Sequence, residues 1–207
     1  MAGRHISEDE LNALENDPDW RAARQAEDDE RQRQAAADRK ASEPILDSLR
    51  EVGWDVDSVW DLVNTPLNYP EAVPVLMRHI GSNRKYPDSV LEGMARALAV
   101  PFAPEAYPLL RNLYFQLEAK GVRDGIALAL QQTGGAEKYD EILELTRDRA
   151  LGPSRVLFIS YFREHASPEE LESLLREFQT DPELEPEATY WLKKRSKSKR
   201  SSGPPKD

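Results

Sequence analysis

The side chains able to do covalent or metal chemistry are few and scattered. Histidine occurs only at His5, His79 and His165, far apart in the chain, and cysteine is absent. Without cysteine there are no disulfides, no thiolate nucleophile and no cysteine-containing zinc site, a pattern that fits a reducing compartment. A histidine in a last helical turn meets the negative end of the helix dipole, so His79 and His165 read as structural rather than ligating. No serine stands in a Gly-x-Ser-x-Gly elbow, and the serines instead have the context of helix caps. Carboxylates cluster at Glu8-Asp9-Glu10, Asp28-Asp29-Glu30 and Glu169-Glu170. A general acid needs an apolar pocket to raise its pKa, and these clusters read as solvated first turns and exposed faces. Gly134-Gly135 and Gly152-Pro153 lack the surroundings of a phosphate loop and read as turns between helices. The sequence thus predicts no catalytic residue, no metal site, no cofactor and no enzyme.

The elements that would carry any functional surface are helices. The length of 207 residues suits one domain plus unpacked material. Ser7-Glu8-Asp9-Glu10 has the capping-box pattern, with Leu11 and Leu14 following on one face, and predicts a short helix. Asp17-Pro18 is a second start signal, opening a run from Trp20 to Ala41 that is helix-prone but has no apolar stripe. Residues 1–41 are therefore expected to form a charged arm, either a solvated helix or disordered. The first core helix is predicted from Ser42, with Ile45, Leu46, Leu49 and Val52 inward and Gly53 at its end. Asp57 is the predicted cap of a short helix carrying Val59, Trp60, Leu62 and Val63, which Thr65-Pro66 ends.

From Tyr69 the chain repeats itself. Pro70-Glu71-Ala72-Val73-Pro74-Val75-Leu76 returns 34 residues later as Pro104-Glu105-Ala106-Tyr107-Pro108-Leu109-Leu110. Glu92 to Leu98 returns 32 residues later as Asp124 to Leu130, and further shifts of 32 land on Val156 to Phe162 and on Ala188 to Lys194. First helices continue at Tyr139 to Thr146 and Pro168 to Phe178. The segment from Val156 to Phe162 is apolar nearly all round, as expected of a helix packed between neighbours. These repeats resemble the HEAT family, in particular its short phycobilisome-lyase-type form. The resemblance covers residues 69–192 and implies an all-α fold: a right-handed α-solenoid of about four HEAT-like helix pairs, preceded by N-terminal helices. The expected layout is an arm at 1–41, the repeat domain at 42–192 and a basic disordered tail at 193–207.

The family usually binds proteins. In such a stack the second helices line the concave face, which nominates Asp88, Glu92, Arg96, Arg123, Asp124, Gln131 and Arg155 as partner contacts. Asp88, Arg123 and Arg155 equally suit a ladder supporting the repeat interfaces. Some HEAT-like enzymes hold iron through His-Glu pairs, and this sequence has no His-Glu dipeptide. HEAT-like DNA glycosylases grip DNA with a basic face, whereas residues 45–192 here hold 14 basic and 25 acidic groups, a net charge of −11. The one basic cluster is Lys193, Lys194, Arg195, Lys197, Lys199 and Arg200, whose lack of aromatics argues against base stacking. The reading is a monomeric, cytoplasmic, acidic scaffold for another protein, without a membrane span. The alternatives are nucleic-acid binding, glycosylase-like or through the basic run, and an acidic inhibitor or immunity protein that masks a basic toxin.

Overall fold

In a computed structural model, residue 7 and residues 17–201 are described, with side chains as far as residue 196. The short helix predicted from Ser7 through Leu14, and His5, lie outside the described residues. Every regular element among the described residues is helical, and no helix there is long and apolar enough to cross a membrane. Two compact units divide the chain, residues 1–43 and residues 44–207.

Helix α1 spans Pro18–Glu51 and starts where predicted, with the Asp17 carboxylate accepting the Asp19 amide at 2.9 Å. In the first unit its side chains are nearly all exposed, and local pairs such as Arg33 with Glu30 at 2.7 Å and Gln25 with Asp29 at 2.7 Å decorate it. The predicted new start at Ser42 is absent, because α1 runs through Pro44 without interruption. Pro44 offers no N–H to the Lys40 carbonyl. Strong helix formers before it and the buried Ile45, Leu46 and Leu49 after it keep the helix going. At its end the Trp54 amide bonds the Leu49 carbonyl and the Gly53 amide bonds that of Arg50. Gly53, at φ 93°, takes the left-handed position such a cap needs.

The second unit continues with α2 (Val59–Asn64), α3 (Val73–Ile80), α4 (Asp88–Ala97), α5 (Tyr107–Gln116), α6 (Lys120–Gly134), α7 (Tyr139–Arg147), α8 (Ile159–His165), α9 (Pro168–Phe178) and α10 (Glu185–Ser201). Ser58, one residue after the predicted Asp57, caps α2 in a full capping box with Asp61. A 3₁₀ stretch at Pro153–Phe158 leads into α8, with Phe158, Ile159, Tyr161 and Phe162 buried as expected of that apolar run. The basic run is not a loose tail from residue 193, since α10 continues through it to Ser201.

Helix α4 packs between α2 and α6, and α6 packs on α5 and on the Pro153–Phe158 stretch. Two glycines 32 residues apart allow these approaches. A β-carbon on Gly93 would sit 2.6 Å from a Val59 methyl, and one on Gly125 would sit 3.1 Å from the Ala95 β-carbon and 3.2 Å from the Glu92 carbonyl. Buried tyrosines fasten distant segments: Tyr69 donates to the Ala97 carbonyl at 2.8 Å, and the Tyr114 hydroxyl meets the Ser154 hydroxyl at 2.8 Å. The Tyr161 hydroxyl donates to the Gly135 carbonyl at 2.6 Å.

Candidate interaction face

Near the start of α6, Arg123 donates from Nε to the Leu117 carbonyl at 2.7 Å and from Nη1 to the Leu151 carbonyl at 3.1 Å. It thus ties the connector before its own helix to one 28 residues further on. Arg155, 32 positions later, does the same more deeply. Its Nε donates to the Gly152 carbonyl at 2.9 Å, and its Nη1 to the Thr146 carbonyl at 2.8 Å and to Asp181 at 3.0 Å. Nη2 reaches Glu183 at 2.6 Å. At 1% exposure Arg155 presents nothing to an outside partner. Its nomination as a contact is corrected: the guanidinium is an internal clamp, because a buried charge persists only when paired and hydrogen-bonded. Asp181 answers it, its carboxyl held below the ordinary carboxylate range first by the Arg155 hydrogen bond.

Gln131 is corrected too. It is 8% exposed, bonds the Ala127 carbonyl at 3.4 Å and accepts from the Ser160 hydroxyl, so it joins α6 to α8. The remaining nominated side chains reach the surface. Asp88 is exposed in the first turn of α4, and Asp124 pairs with Lys120 at 2.6 Å. Glu92 pairs with Arg96 at 2.8 Å beside Gly121, and the Arg96 guanidinium lies 5.9 Å from the centre of the Trp60 ring.

Arg96 is the link to a site that sequence reasoning missed. It forms one wall of an open groove of about 460 Å³ running from the end of α2 across α4 to α6. Val63, Leu67, Val100, Phe102, Leu128 and Gln132 are among the residues that line it. Leu67 is 63% exposed, a large apolar side chain standing free at the rim of an apolar concavity. The signal was present in part: Leu128 lies 32 residues after Arg96, the same shift that aligns the helices, and four after Asp124 on one helical face. Leu67 follows Thr65-Pro66, which reads as a helix stop and gives no hint of a wall.

His79 and His165 each contact neighbouring side chains. The His79 ring bridges the Tyr86 hydroxyl at 2.5 Å and the Ser48 hydroxyl at 3.1 Å. Burial, then Arg78 and Arg84, push its pKa below the ordinary value. His165 stacks on Tyr161 with ring centres 4.3 Å apart. Among the described residues no three His, Asp or Glu side chains converge as metal ligands. Of the basic run, Lys193 and Lys194 are exposed and Arg195 is half-buried, its Nη2 donating to the Pro168 carbonyl at 2.8 Å. Lys197, Lys199 and Arg200 lie on α10 beyond the described side chains. No family model, curated protein or solved structure matches the chain.

Proposed function

We propose that the chain is a HEAT-like helical-repeat scaffold whose second-helix face holds a segment of another protein. In this reading α3 with α4, α5 with α6, α7 with α8, and α9 with α10 are four consecutive modules of a solenoid, with α1 and α2 before them. The support is the serial packing of α2, α4, α6 and the Pro153–Phe158 stretch, with glycines 32 residues apart at two of the approaches. Each module hides its apolar side against the next, which is how repeat proteins are stabilised.

One observation carries the binding role: the groove bounded by Leu67, Arg96, Phe102, Leu128 and Gln132 joins apolar walls to a few polar groups on the second helices. Its volume suits one or two large apolar side chains of a partner, flanked by polar positions for Arg96 and Gln132. Such a buried anchor with a polar rim is the usual anatomy of a protein interface. A photo-crosslinking residue at Leu67 or Gln132 is expected to trap one discrete protein in cells, and the same probe at the exposed Glu144 is not. Binding of that partner, once purified, is then lost in Leu67→Asp while the fold is kept. Equal adducts at all three positions, or none at the groove, would refute the reading.

A further inference from the structure

Where α8 and α9 meet α10, cations gather around one indole. The Arg163 guanidinium carbon lies 3.4 Å from the centre of the Trp191 ring and the Lys194 ammonium 4.7 Å from it. Both are drawn by the ring's negative face. Together with Arg195 and Leu171 they line a cleft of about 270 Å³. Arg195 enters with its Nε buried and unpartnered. Glu187 accepts the Trp191 indole N–H at 2.6 Å, and Glu172 pairs with Arg176 at 2.9 Å. Among the described residues no carboxylate pairs with Arg163, Lys194 or Arg195. Like charges held this close, without an acid between them and on a strongly acidic chain, leave an unfilled demand for an anion.

The second observation is aromatic. The run from Lys193 to Arg200 contains no aromatic residue, yet Tyr190 sits one turn earlier on the same helix, 53% exposed, with the Lys194 ammonium 5.9 Å from its ring. The run itself has no stacking platform, and the helix that carries it offers the Tyr190 ring. We infer that this face of α10 binds single-stranded nucleic acid, with one backbone phosphate in the cleft between Arg163, Lys194 and Arg195 and one base on Tyr190. Single strands are held by this combination of cations along a backbone and aromatic faces for bases. The cations alone suit an acidic peptide as well, and the exposed tyrosine face beside them is what favours a base. A duplex is wide enough to meet the −11 body, whereas one strand follows a helix that rises about 15 Å from Tyr190 to Arg200. The site is separate from the groove beside Arg96, and either stands without the other.

The test uses the full chain and fluorescently labelled oligo-dT and oligo-U, with a matched duplex and poly-glutamate as competitors, between about 50 and 200 mM salt. Binding of the single strands is expected to weaken as salt rises. Arg163→Gln and Lys194→Gln each reduce the steepness of that dependence by about one phosphate's worth. Tyr190→Ala weakens binding about fivefold or more without altering the salt slope. All three positions are exposed, and an unchanged circular dichroism spectrum confirms that each variant folds. Displacement by poly-glutamate as effective as by unlabelled oligo-dT assigns the face to acidic protein and overturns the inference. So does a duplex that binds as tightly as the single strand, or binding indifferent to the three substitutions, or no binding at low salt.

Discussion

Replacing Arg155 with methionine is expected to destabilise the protein by about 4 kcal/mol. Methionine fills most of the same volume, so the loss is polar rather than steric. The Thr146 carbonyl lies in the last turn of α7, where carbonyls have no partner within the helix, and Arg155 Nη1 supplies one at 2.8 Å. An orphaned buried carbonyl costs about 1–3 kcal/mol. Asp181, whose side chain is 10% exposed, loses its 3.0 Å bond from Arg155 and keeps a longer one from Arg149 at 3.2 Å. A bond to a charged group contributes about 1.5–3 kcal/mol. Glu183, with 40% of its side chain exposed, adds less than about 1 kcal/mol. Urea denaturation of the full chain, followed by circular dichroism and by tryptophan fluorescence, measures the change. Adding Asp181→Leu to Arg155→Met is expected to recover part of the loss, since a buried pair replaced by apolar groups is often nearly neutral. A loss below about 1 kcal/mol for Arg155→Met, or no recovery in the double variant, refutes the clamp.

Gly93→Ala and Gly125→Ala are expected to lose about 1–3 kcal/mol each in the same urea experiment, because the obstacles are a Val59 methyl, the Ala95 β-carbon and backbone. Gly121→Ala meets only the mobile end of Glu92, so the gain in helix propensity leaves its stability level or raised by up to about 1 kcal/mol. The His79 pKa in the folded chain lies below 6.5, the ordinary value. The unfolded chain therefore takes up the proton first as pH falls. The resulting stability is present above about 6.5 and is lost as the pH drops through the folded value. Urea midpoints measured over that range should fall for the native chain, and in His79→Gln this step should vanish.

Elements and partners were not equally legible. Apolar spacing at Ile45, Leu46 and Leu49 and at Leu171, Leu174, Leu175 and Phe178 marks buried faces because a helix repeats every 3.6 residues. Asp17-Pro18 and Gly53 marked a start and a stop because each satisfies backbone groups that a helix end leaves bare. The start predicted at Ser42 failed, since packing after Pro44 and propensity before it outweigh a single missing hydrogen bond. Among the nominated contacts, the sequence left Arg155 open between a partner contact and a ladder supporting the repeat interfaces. Only the positions of Thr146 and Asp181 decide that it faces inward.

That inward position follows a rule within the proposed modules. Arg123 and Arg155 stand at the beginnings of their segments, where the chain has just turned and bare carbonyls of two connectors lie within reach, so an arginine there is drawn into the joint. Arg96 stands in the last turn of α4 and Leu128 well inside α6, beside the Leu67 loop and the Val100 to Phe102 connector. In the proposed reading a partner would engage these later turns without competing against the bonds that hold modules together. Function and stability then occupy different turns of the same helix. Substitutions at Leu67, Leu128 or Gln132 should alter binding with stability nearly unchanged, whereas those at Arg123 or Arg155 should alter stability first.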